Sequence, residues 1–240
     1  MKTTIEGKTG LQLVLLPGMD GTGQLFLDFV EFLPESIETV IVEYPTERFL
    51  SYAELDEFVR AACPVSTPFI LLAESFSTPL AINHAASNPP NLIGLILCTG
   101  FATSPVQTWQ RFLCSVFAPL IFRLPLPALA AKLWLVGPDA PSSLLKAVKT
   151  AIRLVRPAVL IARLRAVLAC DARQQLTQVM VPVLYFQARQ DRLVSASCLV
   201  ELQRIMPQMK VTVLDGPHLL IQRRPQIVAE VVAEFAQRLP

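Results

Sequence analysis

Six short apolar runs separated by helical patterns constrain this chain more than any other feature. They are L-Q-L-V-L-L from Leu11, T-V-I-V-E-Y from Thr39, P-F-I-L-L-A from Pro68, L-I-G-L-I-L-C from Leu92, V-P-V-L-Y-F-Q from Val181 and K-V-T-V-L-D from Lys210. Most are continuous rather than alternating, as strands covered on both faces are, and that points to a parallel sheet. Helical periodicity fills Gln24 to Phe32, Tyr52 to Ala62, Pro79 to Ala86, Ala196 to Met206 and Pro225 to Arg238. With right-handed crossovers, this repetition predicts a doubly wound α/β domain on a mostly parallel sheet of about six strands. Ligands of such sheets bind beyond the carboxyl ends of the strands, so the loops that follow the runs are where chemistry is sought.

The alternation breaks once, between Cys98 and Val181, where L-L-K-A-V-K-T-A-I-R-L-V-R and A-V-L-I-A-R-L-R-A-V-L-A are helical and no run reads as a strand. The expected organisation is a core of residues 1–100 and 176–240 with a helical cap, residues 101–175, inserted into it. A chain of 240 residues is long enough for one such domain with a sizeable core. At 52% hydrophobic and 17% charged it is not a disordered chain. Its most apolar stretch, from Phe112, is cut by Arg123 and Lys132 and carries Pro119, Pro125 and Pro127. That leaves no run near the roughly 18 uncharged residues a membrane span needs. The N-terminus has no apolar leader core, so the expected location is the cytoplasm.

Five cysteines, Cys63, Cys98, Cys114, Cys170 and Cys198, show neither C-x-x-C nor zinc spacing and read as reduced structural thiols. A net charge of +2 gives no reason to expect a nucleic-acid partner. The distribution is uneven, because residues 101–170 hold nine Lys or Arg and a single acid, Asp139. A solvated helix face is the ordinary meaning of that basic stretch. Its functional meaning is contact with an anionic membrane surface or an acyl carrier.

Four strand ends carry polar chemistry: L-L-P-G-M-D-G-T-G (Leu15 to Gly23), A-E-S-F-S (Ala73 to Ser77), Q-A-R-Q-D-R-L-V (Gln187 to Val194) and D-G-P-H (Asp215 to His218). Ser75, Asp191 and His218 therefore follow one another as nucleophile, acid and base. A serine hydroxyl is a poor nucleophile, so His218 would take its proton while Asp191 fixes the imidazole tautomer. On these residues the chain resembles the α/β-hydrolase superfamily over nearly its whole length. That family's nucleophile elbow, G-x-S-x-G on a strand-turn-helix, stands here with Ala73 and Ser77 in place of both glycines. The chain also reaches its first parallel strand by Leu11, a shorter N-terminus than that of relatives that begin with an antiparallel hairpin.

The resemblance implies an oxyanion hole from the backbone N–H groups of Met19 and Phe76, each donor worth roughly 3 to 4 kcal/mol of barrier. It implies no metal and no organic cofactor. P-G-M-D-G-T-G also resembles a loop of some acyl-transferring and thioesterase-like hydrolases, and without Gly-Lys-Ser/Thr it is not a phosphate loop. An enzyme for aliphatic acyl groups needs an apolar wall over the serine, for which Phe101, Trp109, Phe112, Phe117 and Trp134 are the candidates.

The other polar residues take plainer readings. His84, mid-helix, faces solvent or a neighbouring helix; Glu74 is an inert neighbour of the elbow; Asp20 and Thr22 cap the following helix; Glu43 is the spare carboxylate. The expected function is cleavage of carboxylic esters of apolar acyl groups through an acyl-enzyme. A thioesterase or acyltransferase on the same residues, and a non-enzymatic small-molecule binder on this fold, are the alternatives.

Overall fold

The structure, a computed structural model, describes residues 10–106 and 131–239. Its six strands are β1 (Leu11–Leu16), β2 (Ile37–Ile41), β3 (Phe69–Glu74), β4 (Leu92–Cys98), β5 (Val183–Ala188) and β6 (Lys210–Leu214). They form one sheet in the order β2-β1-β3-β4-β5-β6, and every pairing is parallel. From β1 the chain runs outward to β2 and then returns to add β3 on the other side of β1. The loops after β1 and β3 therefore diverge from adjacent strand ends, and a crevice opens between them.

Helices cover both faces, and alternate side chains of each strand divide between two cores. Val14, Leu16, Leu71, Ala73, Leu97 and Tyr185 pack with α2 (Tyr52–Ala62), α3 (Thr78–Ala86) and α7 (Ala196–Ile205). Leu13, Leu15, Ile70, Leu72, Ile96 and Phe186 pack with α1 (Leu27–Val30), α8 (Leu220–Arg223) and α9 (Pro225–Gln237). Burial on both faces is the physical reason the runs read as continuous rather than alternating.

One strand falls elsewhere than the apolar pattern predicts. T-V-I-V-E-Y suggests a strand from Thr39, whereas β2 starts at Ile37, opposite Leu11 of β1, and ends at Ile41. Val42 still donates to the Leu15 carbonyl, but Tyr44 turns inward and its N–H bonds the Gly21 carbonyl. The apolar second half of that run therefore serves the crevice rather than the ladder.

Between β4 and β5 the described residues form a π-helical turn over Lys132–Val136, α4 (Ser142–Arg153), α5 (Pro157–Ala169) and α6 (Arg173–Leu176), with one isolated bridge, Thr103 to Asp171. The fold is a doubly wound α/β domain on a six-stranded parallel sheet. Among the described residues no helix is long and apolar enough to cross a membrane.

Helix α2 starts with a full capping box, in which Ser51 Oγ accepts from Glu54 N–H and Glu54 Oε2 accepts from Ser51 N–H at 2.7 Å. Replacing Ser51 by alanine removes that cap and should cost about 1 kcal/mol. A urea unfolding midpoint that did not move would show that α2 is held by its apolar face alone.

Candidate active site

Ser75 lies directly after β3, at the N-terminal end of a short 3-10 turn that leads into α3. Its φ of 49° is left-handed, a conformation that costs a non-glycine residue about 1 to 3 kcal/mol. The sharp reversal lifts Oγ out of the sheet towards the crevice. Ala73 fits the first glycine position with no exposure at all. At the second, Ser77 Oγ donates to the Pro17 carbonyl at 2.5 Å. Because that uses its one proton, Tyr44 OH is the donor in the 2.7 Å contact with Ser77 Oγ. The hydroxyl that replaces glycine thus ties the elbow to the loop after β1. The close approach comes instead from Gly100, beyond β4, where a Cβ would sit 2.3 Å from Thr78 Cγ2.

His218 reaches Ser75 from the loop after β6, with Nε2 2.8 Å from Oγ. Its Nδ1 is 2.8 Å from Asp191 Oδ2, in the loop after β5. The other Asp191 oxygen accepts from the N–H groups of Leu193 and Val194 at 2.8 and 2.9 Å. Asp191 is an acceptor only, so His218 carries its proton on Nδ1 and presents the Nε2 lone pair to the serine, which donates. The two loops are tied together where Gln190 N–H donates to the Gly216 carbonyl. Burial opposes the imidazolium, but the charge and hydrogen bond of Asp191 and the charge of Glu74 outweigh it and hold the His218 pKa above the ordinary imidazole value. The structure thus brings together the three side chains that the strand ends suggest. Glu43 is exposed and stands outside the group.

The loop after β1 faces this array. Gly18 to Gly21 form a turn closed by Gly21 N–H donating to the Gly18 carbonyl at 3.1 Å. A trans peptide points its N–H opposite its C=O, so the Met19 N–H points out of the turn. Phe76 follows Ser75, and its carbonyl accepts from Tyr52 OH at 2.9 Å. Of Asp20 and Thr22, only Thr22 reaches the following helical turn, where its hydroxyl accepts from Gln24 N–H at 3.4 Å. Asp20 Oδ2 accepts from both the N–H and the hydroxyl of Thr22 and closes its own turn, while Gly23 occupies the cap position with no side-chain bond. A short polar side chain finds its own backbone two residues on more readily than a distant helix end.

Among the wall candidates, Trp109, Phe112 and Phe117 lie outside the described residues. Phe101 is buried in the core layer beside Phe76, and Trp134 is half exposed. His84 is buried, not solvated, and takes the neighbouring-helix option: its Nδ1 is 2.7 Å from Asp56 Oδ1 on α2 and its Nε2 is 3.6 Å from Cys63 Sγ. Cys63 and His84 border a cavity of about 340 Å³, but burial and then the Asp56 charge push the thiol up to about 12, and the His84 contact with Asp56 serves as a helix-to-helix bond. Cys63, Cys98 and Cys198 are free thiols. Among the described residues no group of three His, Cys, Asp or Glu side chains is placed to hold a metal ion.

Glu74, the neighbour of the nucleophile, is buried at 2% exposure, and Gln222 Nε2 donates to its Oε2 at 3.2 Å while Oε1 finds no partner among the described residues. Burial pushes its carboxyl up to about 7, with the charge of His218 and the Gln222 bond acting against that rise and the charge of Asp20 adding to it. The folded protein therefore keeps a proton that the unfolded chain releases above 4.5, and stability is lost as pH rises through about 7. The raised pKa of His218 acts in the same direction. Glu74→Gln should remove the carboxyl contribution, gaining on the order of 2 kcal/mol over wild type between pH 5 and pH 8. Urea unfolding at the two pH values measures this, and a constant difference between the proteins would refute a buried titrating carboxyl.

A six-stranded parallel sheet with its serine on a strained turn after the third strand defines a hydrolase-type α/β protein. Residues 13–231 match the model of the Alpha/beta hydrolase family, and the chain belongs to that family. Its fold is similar to that of a thermophilic esterase from Thermogutta terrifontis, at 18% identity and TM-score 0.81, covering 97% of this chain and 91% of that one. It is also similar to a structure from the thaumarchaeon Nitrososphaera gargenis described among its carboxylesterases, at 14% identity, TM-score 0.79 and coverage of 97% and 92%. MenH from S. aureus is similar at 13% identity, TM-score 0.75 and coverage of 99% and 96%. At such identities the likeness is one of fold. No curated protein matches the chain in sequence.

Sequence reasoning missed the part of Arg163, which comes from α5 and is 2% exposed against the loop after β1. No local signal marks it among the nine basic residues of its stretch.

Proposed function

We propose that the protein is a serine hydrolase that cleaves carboxylic esters of apolar acyl groups through an acyl-enzyme. The observation that carries this reading is the unbroken line from Asp191 through His218 to Ser75, with both contacts at 2.8 Å. Ser75 Oγ bonds to the ester carbonyl carbon as its proton passes to His218 Nε2, and Asp191 holds the resulting imidazolium. The N–H groups of Met19 and Phe76 receive the oxyanion. Collapse of the tetrahedral intermediate breaks the bond to the alcohol, which leaves with the proton from His218. Water then attacks the acyl-enzyme by the same route and releases the acid. All of this is done by side chains and backbone donors of the chain itself.

Residues 101–175 act in this reading as a cap whose apolar face covers the acyl chain. The basic character of that stretch suits an anionic surface at which such substrates are found. Hydrolysis of p-nitrophenyl esters from acetate to palmitate, alongside labelling of Ser75 by a fluorophosphonate, tests the proposal. Turnover with an optimum beyond acetate and labelling at Ser75 is the expected result. Labelling without turnover on any ester would redirect the substrate to thioesters, and a folded protein that showed neither would remove the reading.

A further inference from the structure

The most unusual group in the molecule outside the Ser-His-Asp line is a buried cation. Arg163 Nη1 donates to the carbonyls of Met19 and Asp20, both at 2.8 Å, and Nη2 donates to the Pro45 carbonyl at 3.0 Å. Its guanidinium lies over the rings of Tyr44 and Phe76, 5.7 and 5.8 Å from their centroids. Among the described residues no carboxylate is within salt-bridge distance. The nearest acid along the loop, Asp20, spends Oδ2 on Thr22. Burial lowers the Arg163 pKa, the charge of Asp20 acts against that fall, and an arginine stays charged under such conditions.

Carbonyls alone do not offset the desolvation of a full positive charge, and the nearby acid, Asp20, forms no ion pair with it, so the charge stays available to a group of opposite sign. The geometry suggests what that is. Met19 and Asp20 are the two central residues of the Gly18–Gly21 turn, and one nitrogen of Arg163 fixes both of their carbonyls. This sets the orientation of the turn and hence the direction of the outward Met19 N–H. The same guanidinium rests on Phe76, whose N–H is the second proposed donor. Gly21 makes the approach possible, since a Cβ there would sit 2.6 Å from Arg163 Nη1.

We infer that Arg163 is the positioning residue of the oxyanion hole: it clamps the Met19–Asp20 turn and places a buried positive charge behind the site where the oxyanion develops. This rests on the serine-hydrolase reading above and deepens it. It also gives the segment between β4 and β5 a part in the chemistry, because α5 delivers the group that orders a loop after β1. Arg156 N–H donates to the Thr46 carbonyl at 3.0 Å, so the start of α5 is docked on the loop after β2 as well.

The test uses Arg163→Lys and Arg163→Ala on the best p-nitrophenyl ester. The expected result is a fall in kcat of about 10- to 100-fold with KM nearly unchanged, because the charge is felt in the transition state and not by the neutral ester. The Ki of an alkyl boronic acid, which forms a tetrahedral anion on Ser75, should rise by a similar factor. Ethylguanidinium should restore part of the activity of Arg163→Ala, and Arg163→Lys carries the kinetic readouts if alanine unfolds the chain. A folded variant with kcat within threefold of wild type, or one that raised KM alone, would overturn the inference. If wild-type protein were not labelled at Ser75 by fluorophosphonate, the nucleophile itself would be wrong, and the inference would fall with it.

Discussion

Ser75→Ala should lose ester hydrolysis by about 10⁵-fold or more in kcat while keeping its fold. Ser75 Oγ hydrogen-bonds to His218 Nε2, so alanine removes the proposed nucleophile and that hydrogen bond. The left-handed φ of 49° is imposed by the strand-to-helix reversal and applies equally to alanine, so the strain is unchanged. Stability should therefore move by no more than about 1 kcal/mol, the net contribution of one hydrogen bond. Turnover by the mutant should still exceed the reaction in water, because the substitution leaves in place the proposed donors at Met19 and Phe76 and the proposed Arg163 charge behind them. Kinetics on a p-nitrophenyl ester and a thermal unfolding curve on the same preparation separate chemistry from folding. Retention of a few per cent of wild-type activity, after contaminating esterases are excluded by fluorophosphonate titration, would place the nucleophile elsewhere.

How much of this site was legible in the sequence follows from which interactions are local. Strands buried on both faces leave continuous apolar runs, so all six strands are legible and only β2 is shifted, to Ile37–Ile41, and loops that follow parallel strands gather at one edge. That is why Ser75, Asp191 and His218 could be grouped although they are far apart in the chain. Glu74 and Arg163 left no such trace. An acid beside a serine and an arginine in an amphipathic helix look the same whether they are solvated or buried, and only the packing of α5 on the loop after β1 decides it. Tyr44 and Tyr52 are similar cases: one extends an apolar run and the other starts a helix, yet their hydroxyls bond Ser77 and Phe76. Asp20 shows the opposite error, a residue type suited to helix caps that instead closes its own turn.

Asp191→Asn is expected to be nearly as damaging as loss of the serine, by about 10⁴-fold in kcat, although it changes one atom of the side chain. The reason is visible in the acceptor pattern. Oδ1 receives the N–H groups of Leu193 and Val194, so an amide at this position keeps its oxygen towards them. Its NH₂ then faces His218 Nδ1 and donates. The imidazole must answer with a lone pair on Nδ1, which moves its proton to Nε2, and Nε2 can no longer take the proton of Ser75. A variant at position 191 that removed the side chain would not impose this wrong tautomer. Asp191→Ala should therefore retain at least as much activity as Asp191→Asn, despite the greater loss of contacts. Comparing kcat for the two variants distinguishes the cause: an amide much more active than alanine would mean that Asp191 acts by packing and orientation, and that its charge and acceptor character matter little.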